Sequence, residues 1–523
     1  MVDKRNERID ELREVKKRAL SGGGADKVAA QHEKGKMLAR ERLDYLLDKG
    51  SFVEFNMLLG YALNAPGDGI VSGYGMIDGR RVCIYSQDPT VRGGSIGALH
   101  GFKMYRAVEW AIQMGVPLVG LHDSPGARLP QLTEKGGGMG SGAVGRRSGG
   151  SVFFPNTQAS GVVPQISAIL GSCAGISVYS PALHDFIFMV DKQSHMFITG
   201  PRMVREVMGE ELSYDELGGA AVHCKVSGVA DRRFQSEKEL LDGIKELLRY
   251  LPANAKERPP VAVNDELLEM TNDKFFDIVP STPNRPYDMH KIIYLILDGG
   301  RFFEIKPEFA GEMIVGFGRL KGQTVGIVAN QPMVRAGCLT VDGSDKQARF
   351  MRFCDAFNIP IVLLIDTPAY MPGKNQEHAG IIRHGAKVLY ALCEATVPRM
   401  AVIIRKVYGG GTLGMGVIPG LGTDLVYSWP TAETGVLGAD ASVELYFGKE
   451  IAAAKNPEDL RRQKTQEFND RYSNPVRDAS TNWALADIIE PRETRDVLIR
   501  GLEFLANKKR DSGTPKRHGN IPL

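Results

Sequence analysis

The sequence predicts an α/β chain made of two tandem copies of one domain. Three observations carry this. Short apolar runs alternate with amphipathic helical patterns from about residue 80 onward. GYGMIDGRRVCIYSQDPTVRGGS (73–95) matches GFGRLKGQTVGIVANQPMVRAGC (316–338) without a gap, and the register holds to Pro125 and Pro368, with 16 identities in 53 positions. Between the copies, RYLPANAKERPPVAVNDE (249–266) carries three prolines and no apolar periodicity. The boundary is therefore expected there, giving domains 1–257 and 258–523.

The elements follow in order. Residues 3–47 read as helical, with Ile9, Leu12, Val15 and Leu20 at helical spacing. SGGGAD (21–26) breaks the pattern, and LARERLDYLLDKGSF resumes it up to Gly50. RVCIYSQ (81–87) predicts a strand, GALHGFKMYRAVEWAIQM (97–114) a helix, and VPLVGLHDS (116–124) a buried strand and turn. EKGGGMGSGAVGRRSGGS (134–151) has eight glycines and reads as a surface loop or as a flap over a site.

Composition sets limits. The 523 residues are 43% hydrophobic and 24% charged, enough for a core without disulfide or metal staples. The net charge of +3 gives no reason to expect nucleic acid as a partner. No run approaches ~18 apolar residues, so no membrane insertion is expected. The N-terminus lacks the apolar core of a signal peptide. Six scattered cysteines form no Cys-x-x-Cys pair, which predicts a reduced, cytoplasmic chain with no metal centre. Glycine is high, 60 residues, and clustered, which points to the use of backbone amides.

Several motifs fail their context. Gly140-x-Gly142-x-x-Gly145 follows no strand and opens no helix, so it is not a dinucleotide loop. Met37 and Asn375 follow the two Gly-Lys pairs, which excludes a Walker A loop. Gly93-Gly-Ser95-Ile-Gly97 has the form of a nucleophile elbow, but the second copy reads Ala336-Gly-Cys338-Leu-Thr340. The turn is thus a property of the domain. Asp123 and Asp366 each end a buried strand, and either could be a base or accept backbone N–H groups in the following turn. Two clusters remain, ILGSCAGISVYSPA (169–182) and IIRKVYGGGTLGMG (403–416). Each runs from a strand through small residues into a helix. Such a turn can be merely tight, or its free amides and the helix dipole can form an oxyanion hole.

These segments resemble the carboxyltransferase (β) subunits of biotin-dependent acyl-CoA carboxylases, of the propionyl-CoA/acetyl-CoA carboxylase type. The likeness includes SQDPTVRGGSIGALHGFK (86–103), GSCAGISVYSPALHDF (171–186), PAYMPGKNQEHAGIIRHGAKVLYALCEATVPR (368–399), RKVYGGG (405–411) and the terminal RHGNIPL. It implies two crotonase-like ββα-superhelix domains. It implies transfer of CO2 between carboxybiotin and the α-carbon of an acyl-CoA thioester. The same half-reaction runs backward in biotin-dependent decarboxylases of methylmalonyl-CoA or glutaconyl-CoA. A CoA-binding scaffold without turnover is a third possibility, from another class. The resemblance assigns the thioester oxyanion hole to the amides of Gly175 and Ile176, and the biotin oxyanion hole to Gly410 and Gly411 beside Gly409. Arg92, Gly93, Gly94 and Ala174 then fall at the CoA site, and Ile176 and Leu413 at the acyl pocket. No Ala-Met-Lys-Met site exists and Lys103 has the wrong context, so biotin must arrive in trans on a carrier or biotin carboxylase subunit. The family pairing of subunits implies a homodimer as the minimal unit and a homohexamer as the assembly. The chain departs from the family at Ser172, Ile176, Leu129-Pro130-Gln131 and Thr367-Pro368-Ala369-Tyr370, which border the acyl pocket.

Overall fold

The computed structural model describes residues 4–128, 152–262, 274–280, 282, 285–418, 420–472, 475–480 and 484–508. These divide into two units between Glu257 and Arg258. Three helices come first, Lys4–Leu20, Ala25–Glu33 and Ala39–Leu46. The predicted helical stretch is broken twice. Gly35, with φ 72°, supplies the second break, and Glu41 then accepts the Leu38 N–H at 2.8 Å to start the third helix.

The first unit holds strands β1 (Val53–Phe55), β2 (Ile70–Ile77), β3 (Arg80–Gln87), β4 (Leu118–His122), β5 (Gln165–Ile169), β6 (Ser172–Ala174), β7 (Phe186–Val190), β8 (His195–Phe197) and β9 (Arg232–Phe234). The second holds β10 (Phe303–Ile305), β11 (Met313–Leu320), β12 (Gln323–Asn330), β13 (Ile361–Thr367), β14 (Arg399–Tyr408), β15 (Leu425–Ser428), β16 (Glu433–Gly435) and β17 (Asp487–Ile488). The main sheets run β1-β2-β3-β4-β5-β7-β9 and β10-β11-β12-β13-β14-β15-β17. In the first unit β6 and β8 form a separate pair, whereas in the second β16 joins the end of β14.

The repeat is exact in register. The β2–β3 hairpin pairs Ile70 with Gln87 and Ile77 with Arg80. The β11–β12 hairpin pairs Met313 with Asn330 and Leu320 with Gln323, each number raised by 243. The next strands shift: Leu118 pairs with Gln165, and Ile361 with Arg399, an offset of 399 − 165 = 234. The first copy is thus nine residues longer between these strands (243 − 234 = 9). That stretch includes 129–151, so the glycine-rich loop with Gly140, Arg146 and Arg147 lies outside the described residues, as does the terminal RHGNIPL.

The strands β4, β5, β7 and β13 are buried at every residue, as parallel strands covered on both faces must be. The helix Ala98–Met114 places Met104, Ala107, Val108 and Ala111 on Ile70, Cys83, Tyr85 and Leu118. The second unit packs Trp429 with Ile327, Val362, Leu364, Met400 and Val402. Burial of each such side chain contributes about 1.5–3 kcal/mol. The six cysteines form no disulfide. Among the described residues no helix is long and apolar enough to cross a membrane.

Candidate active site

The two glycine clusters fold alike. Gly175 has φ 55° and ψ −121°, and Gly409 has φ 47° and ψ −121°. A Cβ is strained in that conformation, so each position calls for glycine. Each glycine follows a three-residue strand pairing. Ser172, Cys173 and Ala174 face His195, Met196 and Phe197. Lys406, Val407 and Tyr408 face Glu433, Thr434 and Gly435. The glycine N–H extends that pairing: Gly175 donates to Phe197 O (3.2 Å) and Ile198 O (3.1 Å), and Gly409 to Gly435 O (2.9 Å).

Helices then start at once, Ile176–Leu183 and Gly410–Gly414. Their first N–H groups have no intrahelical acceptor. Among the described residues, none accepts from Ile176, Ser177, Gly410 or Gly411. The expected first-unit pair is Gly175 and Ile176. The Gly175 N–H is already spent on β8, so the amides matching Gly410 and Gly411 are those of Ile176 and Ser177. Hydroxyls lock both turns: Ser177 Oγ donates to Ser124 O and Ala174 O, both at 2.9 Å, and Thr412 Oγ1 donates to Gly409 O at 2.5 Å. Each turn therefore presents two preorganised donors at the positive end of a helix, which suits a developing oxyanion.

Glycine at the second cluster is favoured by close neighbours, Tyr370 at Gly410 and Leu339 with Tyr370 at Gly414. A Cβ on Gly410 would lie 2.9 Å from Tyr370 Cδ2, and one on Gly414 2.8 Å from Tyr370 Oη. Burial raises the Tyr370 hydroxyl to about 12, so it stays neutral. Beside Gly409 and Gly410 opens a cavity of about 650 Å³, lined also by Lys406, Tyr408, Glu433 and Asp440. Tyr408 donates its hydroxyl to Glu433, and burial and that bond push its pKa up. Burial lowers the Lys406 ammonium below its ordinary value.

The two strand-end aspartates are structural. Asp123 is held by Lys36 Nζ (2.6 Å) and Arg42 Nη2 (3.1 Å), and its N–H donates to Gln87 Oε1 (2.9 Å). Asp366 is held by Arg405 Nε (2.9 Å) and accepts the Lys406 N–H (3.2 Å), while its own N–H donates to Asn330 Oδ1 (3.2 Å). Burial raises the Asp366 pKa, against the pull of Arg405. Both carboxylates are taken up by these ion pairs and their turns. Ser95 fares no better as a nucleophile: its Oγ donates to Arg92 O (2.8 Å) and accepts from Arg128 Nε (3.1 Å). Lys103 is fully buried, with Nζ on Ile70 O at 2.5 Å, and burial lowers it to about 8. Such a side chain cannot accept biotin.

The other expected residues are placed as follows. Arg92, Gly93 and Gly94 form a left-handed turn, as Arg335, Ala336 and Gly337 do in the second unit. Arg92 Nη2 donates to Leu63 O at 2.7 Å. A Cβ on Gly94 would lie 2.6 Å from Asp123 O, so that glycine lets the turn approach the strand end. Ala174 ends β6. Ile176 packs partly buried on the first-unit apolar cluster, and Leu413 is exposed on the helix after Gly409. Sequence reasoning missed Ser177, the Ser172–His195 pair (2.9 Å, His195 Nδ1) with Asp215 on Nε2 (3.2 Å), and the facing Lys406 and Glu433. Aligning the copies on Gly175 and Gly409, rather than on the aspartates, would have matched these positions.

The carboxyl transferase domain family model matches residues 30–521. The propionyl-CoA carboxylase carboxyltransferase subunit of Haloferax mediterranei is 48% identical, over 99% of both chains. The methylmalonyl-CoA decarboxylase subunit alpha of Propionigenium modestum is 43% identical, again over 99% of both. Among solved structures, a transcarboxylase 12S hexamer with methylmalonyl-coenzyme A bound is 40% identical, with a TM-score of 0.89 over 99% of this chain and 98% of that one. With the repeated ββα units and the two matched amide turns, this chain belongs to the carboxyl transferase family, as two tandem crotonase-like domains.

Proposed function

We propose that this chain is the carboxyltransferase component of a biotin-dependent acyl-CoA carboxylase. It moves CO2 between carboxybiotin, carried by a separate polypeptide, and the α-carbon of an acyl-CoA. One observation carries the assignment of the site: two turns of the same backbone conformation, each presenting at a helix start two amides with no acceptor among the described residues. In the first unit the Ile176 and Ser177 N–H groups receive the thioester oxygen as the α-carbon loses its proton and the oxygen gains charge. In the second unit the Gly410 and Gly411 N–H groups receive the ureido oxygen. The cavity of about 650 Å³ beside Gly410 is large enough for a small bicyclic urea. Carboxybiotin supplies the CO2 and, after losing it, a ureido nitrogen basic enough to take the α-proton. The protein positions the two ligands and stabilises charge, so no side-chain base is needed.

The names of the relatives support propionyl-CoA and methylmalonyl-CoA as the substrate pair. One of those relatives is a decarboxylase subunit with the same span and 43% identity, so the reverse direction at the same site is the second reading. The solved hexamer supports a homo-oligomer, with a homodimer as the minimal active unit and a homohexamer as the assembly.

The test is carboxyl exchange between labelled methylmalonyl-CoA or malonyl-CoA and free biotin. The wild type is expected to transfer label. Gly410→Pro deletes one donor and should abolish transfer while acyl-CoA still binds. A folded wild type that exchanges with no such thioester would overturn the function. Equal loss of acyl-CoA affinity in the variant would overturn the division of roles between the turns.

A further inference from the structure

The two turns share a backbone, yet they differ at one pair of positions. Counting back from the left-handed glycine, the third residue is Ser172 in the first unit and Lys406 in the second. Their cross-strand partners are His195 and Glu433. The first pair is joined by a Ser172 Oγ···His195 Nδ1 bond of 2.9 Å. The second carries full charges.

Lys406 lies on the face of β14 opposite Arg405, whose guanidinium turns inward to Asp366. Tyr408, two residues on, shares the face of Lys406, and both line the cavity beside Gly409 and Gly410. Lys406 is the only cationic side chain among the described residues lining that cavity. The carboxylates there are engaged: Glu433 accepts the Tyr408 hydroxyl, and Asp440 accepts from Thr465 Oγ1 at 3.2 Å.

We propose that Lys406 binds the carboxylate of the carboxylated urea, and that this lysine distinguishes the donor half-site from the thioester half-site. The inference rests on reading Gly409–Gly411 as the donor turn. A thioester carbonyl is neutral before reaction and needs only amide donors. The donor ligand carries a fixed negative charge next to its ureido oxygen, and so needs a cation next to the amide pair. Ser172 offers none at the matching place. Glu433 faces Lys406 across the strand pair and accepts the Tyr408 hydroxyl. When the carboxylate leaves as neutral CO2, the contact with Lys406 is lost, so the residue selects the loaded ligand over the unloaded one.

The test compares two stable rings on the intact protein by isothermal titration calorimetry: uncharged imidazolidin-2-one and anionic 2-oxoimidazolidine-1-acetate. The wild type should bind the anionic ring more tightly. Lys406→Met should weaken the anionic ring by about tenfold or more, the scale of a lost charged hydrogen bond, and leave the neutral ring unchanged. Lys406→Arg should keep the preference. Equal weakening of both rings would mean that Lys406 only supports the turn, and no change in either would mean that it does not face the ligand; each overturns the proposal. If the wild type binds neither ring and also fails the carboxyl-exchange assay, the donor-site reading itself falls, and the proposal with it. If exchange is normal but the charged ring is not preferred, only the role of Lys406 is wrong.

Discussion

At the scale of single residues, the proposed site is made of amides, and an amide is removed cleanly only by proline. Ile176 is the first residue of its helix, where a missing N–H costs no helical bond and φ is already suitable. Ile176→Pro is therefore expected to fold and to lose about 10²–10³ in kcat, the usual effect of one oxyanion donor. Steady-state kinetics together with a melting curve checks this. An unchanged kcat in a stably folded variant would show that the Ile176 N–H is not at the reacting oxygen. The glycines that make the turns were legible from composition and clustering. The availability of each N–H was not. It depends on whether the glycine pairs with a strand more than twenty residues away, as Gly175 does with Phe197 and Ile198, and no local pattern encodes that.

At the scale of elements, the strands and long helices followed from apolar periodicity, and the repeat fixed the register of both hairpins. The short pairs β6–β8 and β14–β16 did not show in the sequence. Three residues are too few for a period, and their place is set by cross-strand partners. A second feature of this scale is a buried polar seam joining β4, β5 and the end of the helix Ile176–Leu183. His122 Nε2 meets Ser167 Oγ (3.2 Å), Ser167 Oγ meets His184 Nδ1 (2.7 Å), and His184 Nε2 meets Asn156 Nδ2 (3.0 Å). Burial lowers His184 to about 3 and His122 well below its ordinary value. Both are neutral when folded, whereas in the unfolded chain they take protons below pH ~6.5. Their stabilisation is full above that pH and is lost as pH falls toward the folded values, by up to ~1.4 kcal/mol per pH unit for each histidine. Tm should decline between pH 6.5 and 5, and His184→Gln should flatten the slope. Parallel slopes for variant and wild type would remove His184 from the account.

At the scale of the whole chain, each unit has its own apolar core. Trp429 is almost fully buried in the second, with Nε1 donating to Thr494 Oγ1 at 2.9 Å. Trp429→Ala is expected to cost about 3–5 kcal/mol there. Hydrogen exchange should then quicken across 285–508 and stay unchanged across 4–250. Uniform quickening would show that the units unfold as one.

The identical hairpin registers also bear on how the chain reaches its fold. Two copies that place the same pairs of strands 243 residues apart offer each strand two partners, one correct and one in the wrong copy. Tandem domains are exposed to such misassembly while they form. Here only 16 of 53 aligned residues are the same, and the hairpin strands differ in side chains where they share backbone. Tyr85 stands where the second copy has Val328, and Arg81 where it has Thr324. A β3 strand docked on β11 would carry its bulk and charge into a core shaped for smaller, neutral groups. Divergence between the copies thus works as a sorting rule during synthesis, and back-mutating one hairpin toward the other should lower the yield of native chain before it lowers the stability of what does fold.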